Sequence, residues 1–397
     1  METIYNATVV TTDAVLEQGM VTIEQDAIVD VSQGGSARAG IDLGGRYLLP
    51  GLIDLHCDAI EKVLEPRPGV MMPSDYAIDL ADRLSVAAGI LTPFHSITFS
   101  EGELGVRDPR LAEALVREIV AREGHTLADA RIHCRYEITD TTSHRLIAGL
   151  IREGLVDLLS FMDHTPGQGQ FHTIEAYSAF LTKNYHYEPE RIRSILDHKQ
   201  AARASAAERV AELASLARAR GIPIAGHDDD SPERVRLMYE LGASISEFPI
   251  NPPTASAARQ LGLGTVFGAP NLVRGQSQSG NMKALDAVRA GVCECLCADY
   301  VPAALVVAPF RIVEWTDWTL CEAVSLVSKN PARYARLGDR GRITAGARAD
   351  LIAVEIVRGV PQVTAAWVAG RRVFNAEYPR EVAGRAASSN ARRISRQ

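Results

Sequence analysis

Between residues 48 and 302 the chain alternates two kinds of apolar pattern. Short β-rich runs (LLPGLIDLH, ILTPFHSITF, RIHCRYEITD, VDLLSFMDH, IPIAGHDDD, SISEFPI, TVFGAPN and CECLCADYVP) are separated by amphipathic runs with helical period, such as PRLAEALVREIVAREG, AAERVAELASLARARG and NMKALDAVRAG. Repeated βα units of about 20–30 residues imply a parallel sheet, and about eight of them fit a closed (β/α)8 barrel better than an open sheet. Local punctuation agrees. Gly89 ends one helical run, and Ser231 followed by Pro232 reads as an N-cap and first turn. Residues 168–200 break the repeat and read as an insertion over the barrel mouth.

The two ends of the chain differ from this middle. TIYNATVVTT, GMVTIEQDAIVDVS and GGRYLLPG at the start, and GRITAGARADLIAVEI, VTAAWVAG and RRVFNAE near the end, alternate apolar and polar residues between Gly and Asn/Asp breaks. The expected organisation is therefore a small β-sandwich from residues 1–48 and 340–397, flanking a barrel from 49 to 339.

In such a barrel the chemistry gathers at the C-terminal ends of the strands. Polar residues recur there: His56 and Asp58, Glu137, Asp163 and His164, His227 with Asp228 to Asp230, Glu247, and Asp299. His56 and Asp58, at i and i+2, project to one side. Three imidazoles (His56, His164, His227) with Asp58, Glu137 and Asp299 suit a first-row divalent metal with mixed nitrogen and oxygen ligands. The set is large enough for two ions bridged by Glu137, with Asp299 taking a proton from water. Such ligands favour zinc first and leave manganese and iron open. Asp229 and Asp230, just before Ser231, read as helix caps. His95 reads as a strand-end residue able to touch substrate, and His125, His133, His144, His172, His186 and His198 as surface or loop residues, with His172 and His186 in the insertion.

Other features limit the possibilities. A net charge of −7 argues against nucleic acid or anionic membrane as partners, so an anionic substrate must meet local cations or metal. The N-terminus lacks the pattern of a secretory signal and no apolar run is long enough for a membrane span, which places the chain in the cytoplasm. Six cysteines in a chain of this length do not form a disulfide framework. Cys293, Cys295 and Cys297, at alternate positions, read as a small buried set lining one side of a strand. A homodimer is the expected assembly.

The motifs PGLIDLH-x-D, FMDHTPGQGQF, GHDDD, SEFP, GAPNLVRG, SGN and ADYVPAALV, with the β-rich ends, make the chain resemble the amidohydrolase superfamily. Within it, H-x-D in place of the usual H-x-H resembles the α-D-ribose 1-methylphosphonate 5-triphosphate diphosphatases of the carbon–phosphorus lyase pathway. The similarity runs from the N-terminal strands through Ala304. It implies metal-dependent hydrolysis of a sugar 5'-triphosphate to the 5'-phosphate and pyrophosphate. The residues it sets against a phosphorylated substrate are Lys62, Arg67, Asp228, Glu247, Asn271, Arg274, Gln278 and Lys283. Two segments depart from the family pattern. GQSQSGN puts Gln276 and Gln278 where the family has Gly and His, and EFPINP replaces EFPTT. Glutamine carries no charge and shuttles no proton. The departure keeps open an amidohydrolase acting on a C–N bond, a deaminase or cyclic amidase. A non-catalytic subunit of a phosphonate-processing assembly is the third reading, against which the intact ligand residues count.

Overall fold

The computed structural model describes residues 1–34, 39–100, 108–165, 173–185, 187–203, 205–277 and 280–379, apart from the side chains of 176, 177, 180, 183–185 and 198. Among the described residues sixteen strands run in chain order. They are β1 (Glu2–Val10), β2 (Val15–Glu24), β3 (Ala27–Gln33), β4 (Ile41–Asp42), β5 (Tyr47–Pro50), β6 (Leu52–Cys57), β7 (Ile90–Phe99), β8 (Arg131–Glu137), β9 (Leu158–Met162), β10 (Ile224–His227), β11 (Ile245–Glu247), β12 (Gly264–Gly268), β13 (Cys295–Cys297), β14 (Leu351–Val357), β15 (Val360–Val368) and β16 (Arg371–Asn375).

Strands β6 to β13 form one parallel sheet in sequence order. Its two edges meet. The Asp58 N–H donates to the Asp299 carbonyl and the Asp299 N–H to the His56 carbonyl, both at 2.9 Å, and Cys57 bridges Asp299 in parallel. These bonds close the (β/α)8 barrel expected from the alternating pattern, and they do so at His56, Asp58 and Asp299.

Inside the lower barrel Ile53, Leu55, Phe94, Leu158, Ala225, Ile245, Val266, Cys295 and Cys297 form an apolar cluster. Cys293 belongs to a different cluster among the outer helices. The three cysteines therefore do not share one strand face, because β13 begins only at Cys295. All six cysteines are free and buried.

The βα loops end in good helix starts. Asp140 accepts from the N–H groups of Thr142 and Ser143, Ser231 from that of Arg234 and Asn251 from that of Thr254. Asp229 is not a cap, as the sequence suggested. It is buried, accepts from the Ser246 hydroxyl at 2.7 Å, and sits where any Cβ on Gly226 would collide with it. Gly89 follows the helix Ser74–Ala87 with φ 83°, the left-handed stop that glycine permits. Residues 168–200 include helix Ile174–Tyr185 and part of helix Pro189–Arg203.

Strands from both chain ends join one mixed sheet in the order β16-β15-β14-β5-β1-β2-β3, with β4 on β1. The antiparallel pairing of β5 with β14 ties the ends together, and Ile4, Val21, Leu48, Leu351 and Trp367 lie in its core. Among the described residues no helix is long and apolar enough to cross a membrane.

Candidate metal centre

Each mouth residue is set by a strand end. His56, next to last in β6, and Glu247, the last residue of β11, are buried. Nδ1 of His56 lies 3.2 Å from Oε1 of Glu247, and its Nε2 lies 3.5 Å from Oδ1 of Asp58. Asp58 itself stands just outside the strand, ahead of helix Ala59–Leu64. Glu137 closes β8. Its Oε2 is 3.2 Å from Nδ1 of His164 and 3.8 Å from Nζ of Lys199, while Oε1 accepts the Thr139 hydroxyl at 2.8 Å. His227 closes β10, with Nδ1 3.3 Å from Oδ2 of Asp228; the same Asp228 oxygen is 3.8 Å from Nε2 of His164. Asp299 follows β13 at the barrel seam.

Two triads bring donor atoms within 4.8 Å of one another: His56, His227 and Glu247, and His164, His227 and Asp228. His227 belongs to both. Asp228 and Glu247, expected beside substrate, thus stand among the metal-type donors. The site also holds a surplus of negative charge. Among the described residues, Asp58, Glu137, Asp228, Glu247 and Asp299 stand with one arginine and one lysine, Arg135 and Lys199. Oε2 of Glu247 is buried without a hydrogen-bond partner. A buried polar atom of this kind is costly unless something pairs it. This orphaned oxygen, the imidazoles and the excess carboxylates together fit divalent cations of the N/O-binding kind.

Electrostatics follow from this crowding. Burial opposes charge on His56, but Glu247 and Asp58 outweigh it and push its pKa up to about 10. Burial keeps His227 low. Burial, reinforced by Asp58, pushes Asp299 up to about 6. Burial opposes ionisation of Asp228, yet His227 and His164 hold it well below the usual carboxylate range. Three residues that follow strand ends, Asp228, Phe248 and Asp299, have φ of 52°, 53° and 52°. Their N–H groups donate at 2.9 Å to the carbonyls of Glu247, Val266 and His56. Side chains in left-handed backbone cost about 1–3 kcal/mol each, and such strain gathers at functional sites.

The structure adds residues that the sequence reading missed. Arg135 is buried on β8, with one guanidinium nitrogen 3.1 Å from Asp58 and another 3.3 Å from Nε2 of His227. His133 is wholly buried, not at the surface; its Nε2 is 2.8 Å from the Ser160 hydroxyl and 3.9 Å from Oε2 of Glu247. The signal was available. His133, Arg135 and Glu137 alternate in HCRYE, so a period of two puts them on one face. Phe248 stacks edge-on against the rings of His56 and His227, at 4.9 and 5.4 Å between centroids. Lys199 is buried and comes from the second helix of the insertion.

Among the described residues, the side chains of the other candidates form no hydrogen bond or ion pair with this donor set. Lys62, Arg67, Arg274, Gln276 and Lys283 are exposed. Arg274 donates to the Tyr300 hydroxyl at 3.0 Å, and Asn271 accepts the Ala284 N–H at 3.0 Å. His95 lies mid-strand in β7, buried, with Nδ1 unpartnered. His125 is exposed and His144 pairs with Glu212 at 3.1 Å. Gln278, His172, His186 and the His198 side chain lie outside the described residues.

No family profile matches the chain. Against characterised proteins, it is 36% identical over 346 residues to alpha-D-ribose 1-methylphosphonate 5-triphosphate diphosphatase of Escherichia coli (strain K12), covering 84% of this chain and 90% of that protein. Among solved structures, N-acetyl-D-glucosamine-6-phosphate deacetylase from Mycobacterium smegmatis aligns over 94% of this chain and 100% of that one, with TM-score 0.58 and 20% identity. The 5-methylcytosine deaminase from Klebsiella pneumoniae aligns over 95% and 98%, with TM-score 0.61 and 16% identity. At such identities these two likenesses concern the fold.

Proposed function

Because the chain belongs to the alpha-D-ribose 1-methylphosphonate 5-triphosphate diphosphatase family, within the amidohydrolase superfamily of hydrolases, we propose that it hydrolyses a ribose 5'-triphosphate of this kind to the 5'-phosphate and pyrophosphate. The observation that carries the reading is the 36% identity over 84% of the chain, joined to a mouth that keeps a metal-type donor set. His56, His164, His227, Asp228 and Glu247 would hold the metal, with Asp58, Glu137 and Asp299 alongside. Two ions are proposed, zinc first, with manganese or iron as the alternatives. Divalent ions at such donors acidify water and draw charge from phosphoryl oxygens.

The chain's own groups do the rest. Asp299 sits at the barrel seam beside Asp58, with its pKa raised toward neutrality, and takes a proton from the attacking water. The water oxygen bonds to the α-phosphorus, and the bond from that phosphorus to the bridging oxygen breaks. Pyrophosphate leaves with the electron pair. The contacts of Glu247 and the half-buried Phe248 with His56 keep its imidazole in place while this happens.

The test is direct. Purified protein supplied with the ribose triphosphate should release pyrophosphate, followed by phosphorus NMR. Release should stop with chelator and return with added metal, and Asp299→Asn should slow it at least about 10²-fold. Ammonia from a nucleobase or cyclic amide, without pyrophosphate from the triphosphate, would replace this reading with C–N hydrolysis.

A further inference from the structure

A triphosphate brings several negative charges into a mouth that is already acidic, so cations other than metal must face it. The sequence offered Lys62, Arg67, Arg274 and Lys283 for this role, and all four are exposed. Exposed charges are screened by water and salt. Two other cations lie inside the mouth. Arg135 is 5% exposed and Lys199 is 4% exposed. They come from opposite origins, one from barrel strand β8 and one from the insertion helix Pro189–Arg203.

Arg135 is not fully employed by the protein. One nitrogen pairs with Asp58 at 3.1 Å, and another meets only an imidazole nitrogen, at 3.3 Å. Its buried Nε has no hydrogen-bond partner. A guanidinium is a planar fork of five donors, shaped for the paired oxygens of a phosphoryl group. Lys199 stands 3.8 Å from Glu137, which itself touches His164. The two cations therefore adjoin the donor set from two sides, through Asp58 and through Glu137. Resting on the diphosphatase reading, we propose that Arg135 and Lys199 bind the phosphate chain of the substrate and hold the departing pyrophosphate. The insertion then has a function: it carries one cation of the phosphate site into the barrel mouth.

The probe is inorganic pyrophosphate, titrated calorimetrically into metal-loaded full-length protein, with bound metal counted by elemental analysis. Arg135→Lys, which keeps charge but loses the fork, and Lys199→Met should each keep the wild-type metal content. Each should weaken pyrophosphate binding at least about tenfold. In turnover they should raise KM and lower kcat together, since the contact is made to both substrate and leaving group. Variants that bind pyrophosphate as tightly as wild type would overturn the assignment. So would variants that lose metal in step with pyrophosphate, since both residues would then only support the metal donors. Wild-type protein that binds no pyrophosphate would instead overturn the diphosphatase reading itself.

Discussion

The barrel carries two clusters of charge, one at each end, and they are built on opposite terms. At the floor, Asp129 meets three arginines: Arg131 at 3.0 Å, Arg340 at 2.5 Å and Arg348 at 2.7 Å. Arg348 also reaches Asp350 at 3.2 Å, and Arg340 reaches Thr92 at 3.1 Å. These residues link the start of β8 to the segment that enters β14, so they fasten the barrel to the mixed sheet. Their charges are matched within the chain. At the mouth, among the described residues, carboxylates outnumber lysines and arginines, and the backbone is strained at Asp228, Phe248 and Asp299. A cluster whose charges balance stabilises a fold, whereas one with surplus carboxylates beside imidazoles is arranged for a ligand.

The sharpest way to break this contrast is His227→Ala. It removes the residue shared by both donor triads, and metal content should collapse. Activity should fall at least about 10²-fold, because even residues that only support metal ligands cost 10–100-fold. Denaturant unfolding of the metal-free protein should change little. A variant that keeps its metal and rate would mean the mouth is merely structural.

Asp129→Asn is the mirror experiment. It leaves three arginines facing a neutral side chain and should destabilise by about 3 kcal/mol, while specific activity of the folded fraction stays normal. Its pH dependence has a definite sign. Burial opposes ionisation of Asp129, but the arginines outweigh it and hold the carboxyl below its usual range. A depressed folded pKa adds stability that is fully present above the unfolded value, near 3.8, and is lost as pH falls through the folded one. The gap between wild type and Asp129→Asn should thus be flat from neutrality down to about pH 4 and narrow below it. A gap that widens in acid would rule the pairing out.

A smaller effect separates strain from packing. Phe248→Gly and Phe248→Ala both remove the ring stacked on His56 and His227, so both should lower activity. Only glycine accepts φ near 53° freely, so the glycine variant should be about 1 kcal/mol more stable than the alanine one. Equal stabilities would show that the left-handed backbone costs nothing there. The smallest effect belongs to the exposed loop cations: Lys283→Ala should change kcat/KM by less than about threefold, an effect that fades with salt.

Much of this molecule was legible without coordinates, and the reason is periodicity. Apolar alternation in β6 to β13 and helical period between them announce the barrel. Polar residues stand where the apolar runs stop, so His56, His164, His227, Glu247 and Asp299 could be placed at the mouth. His133 and Arg135 obey the same period of two but sit in the middle of a strand, where a polar residue competes with the expectation of an apolar core. Asp229 is hard to assign from sequence because a carboxylate three positions before a helix also fits a capping pattern.

The sequence by itself determined the fold and the family and put the polar residues at one end of the barrel, because these depend on local period and on motifs a few residues long. Only the tertiary structure decided which charge faces which. The bond between His56 and Glu247 spans 191 positions, and that between Arg135 and His227 spans 92. Pairings at such separations are set by barrel closure and register, which no local pattern encodes. That is why Lys199 and Arg135, the two buried cations of the mouth, emerge only when the strands and the insertion come together.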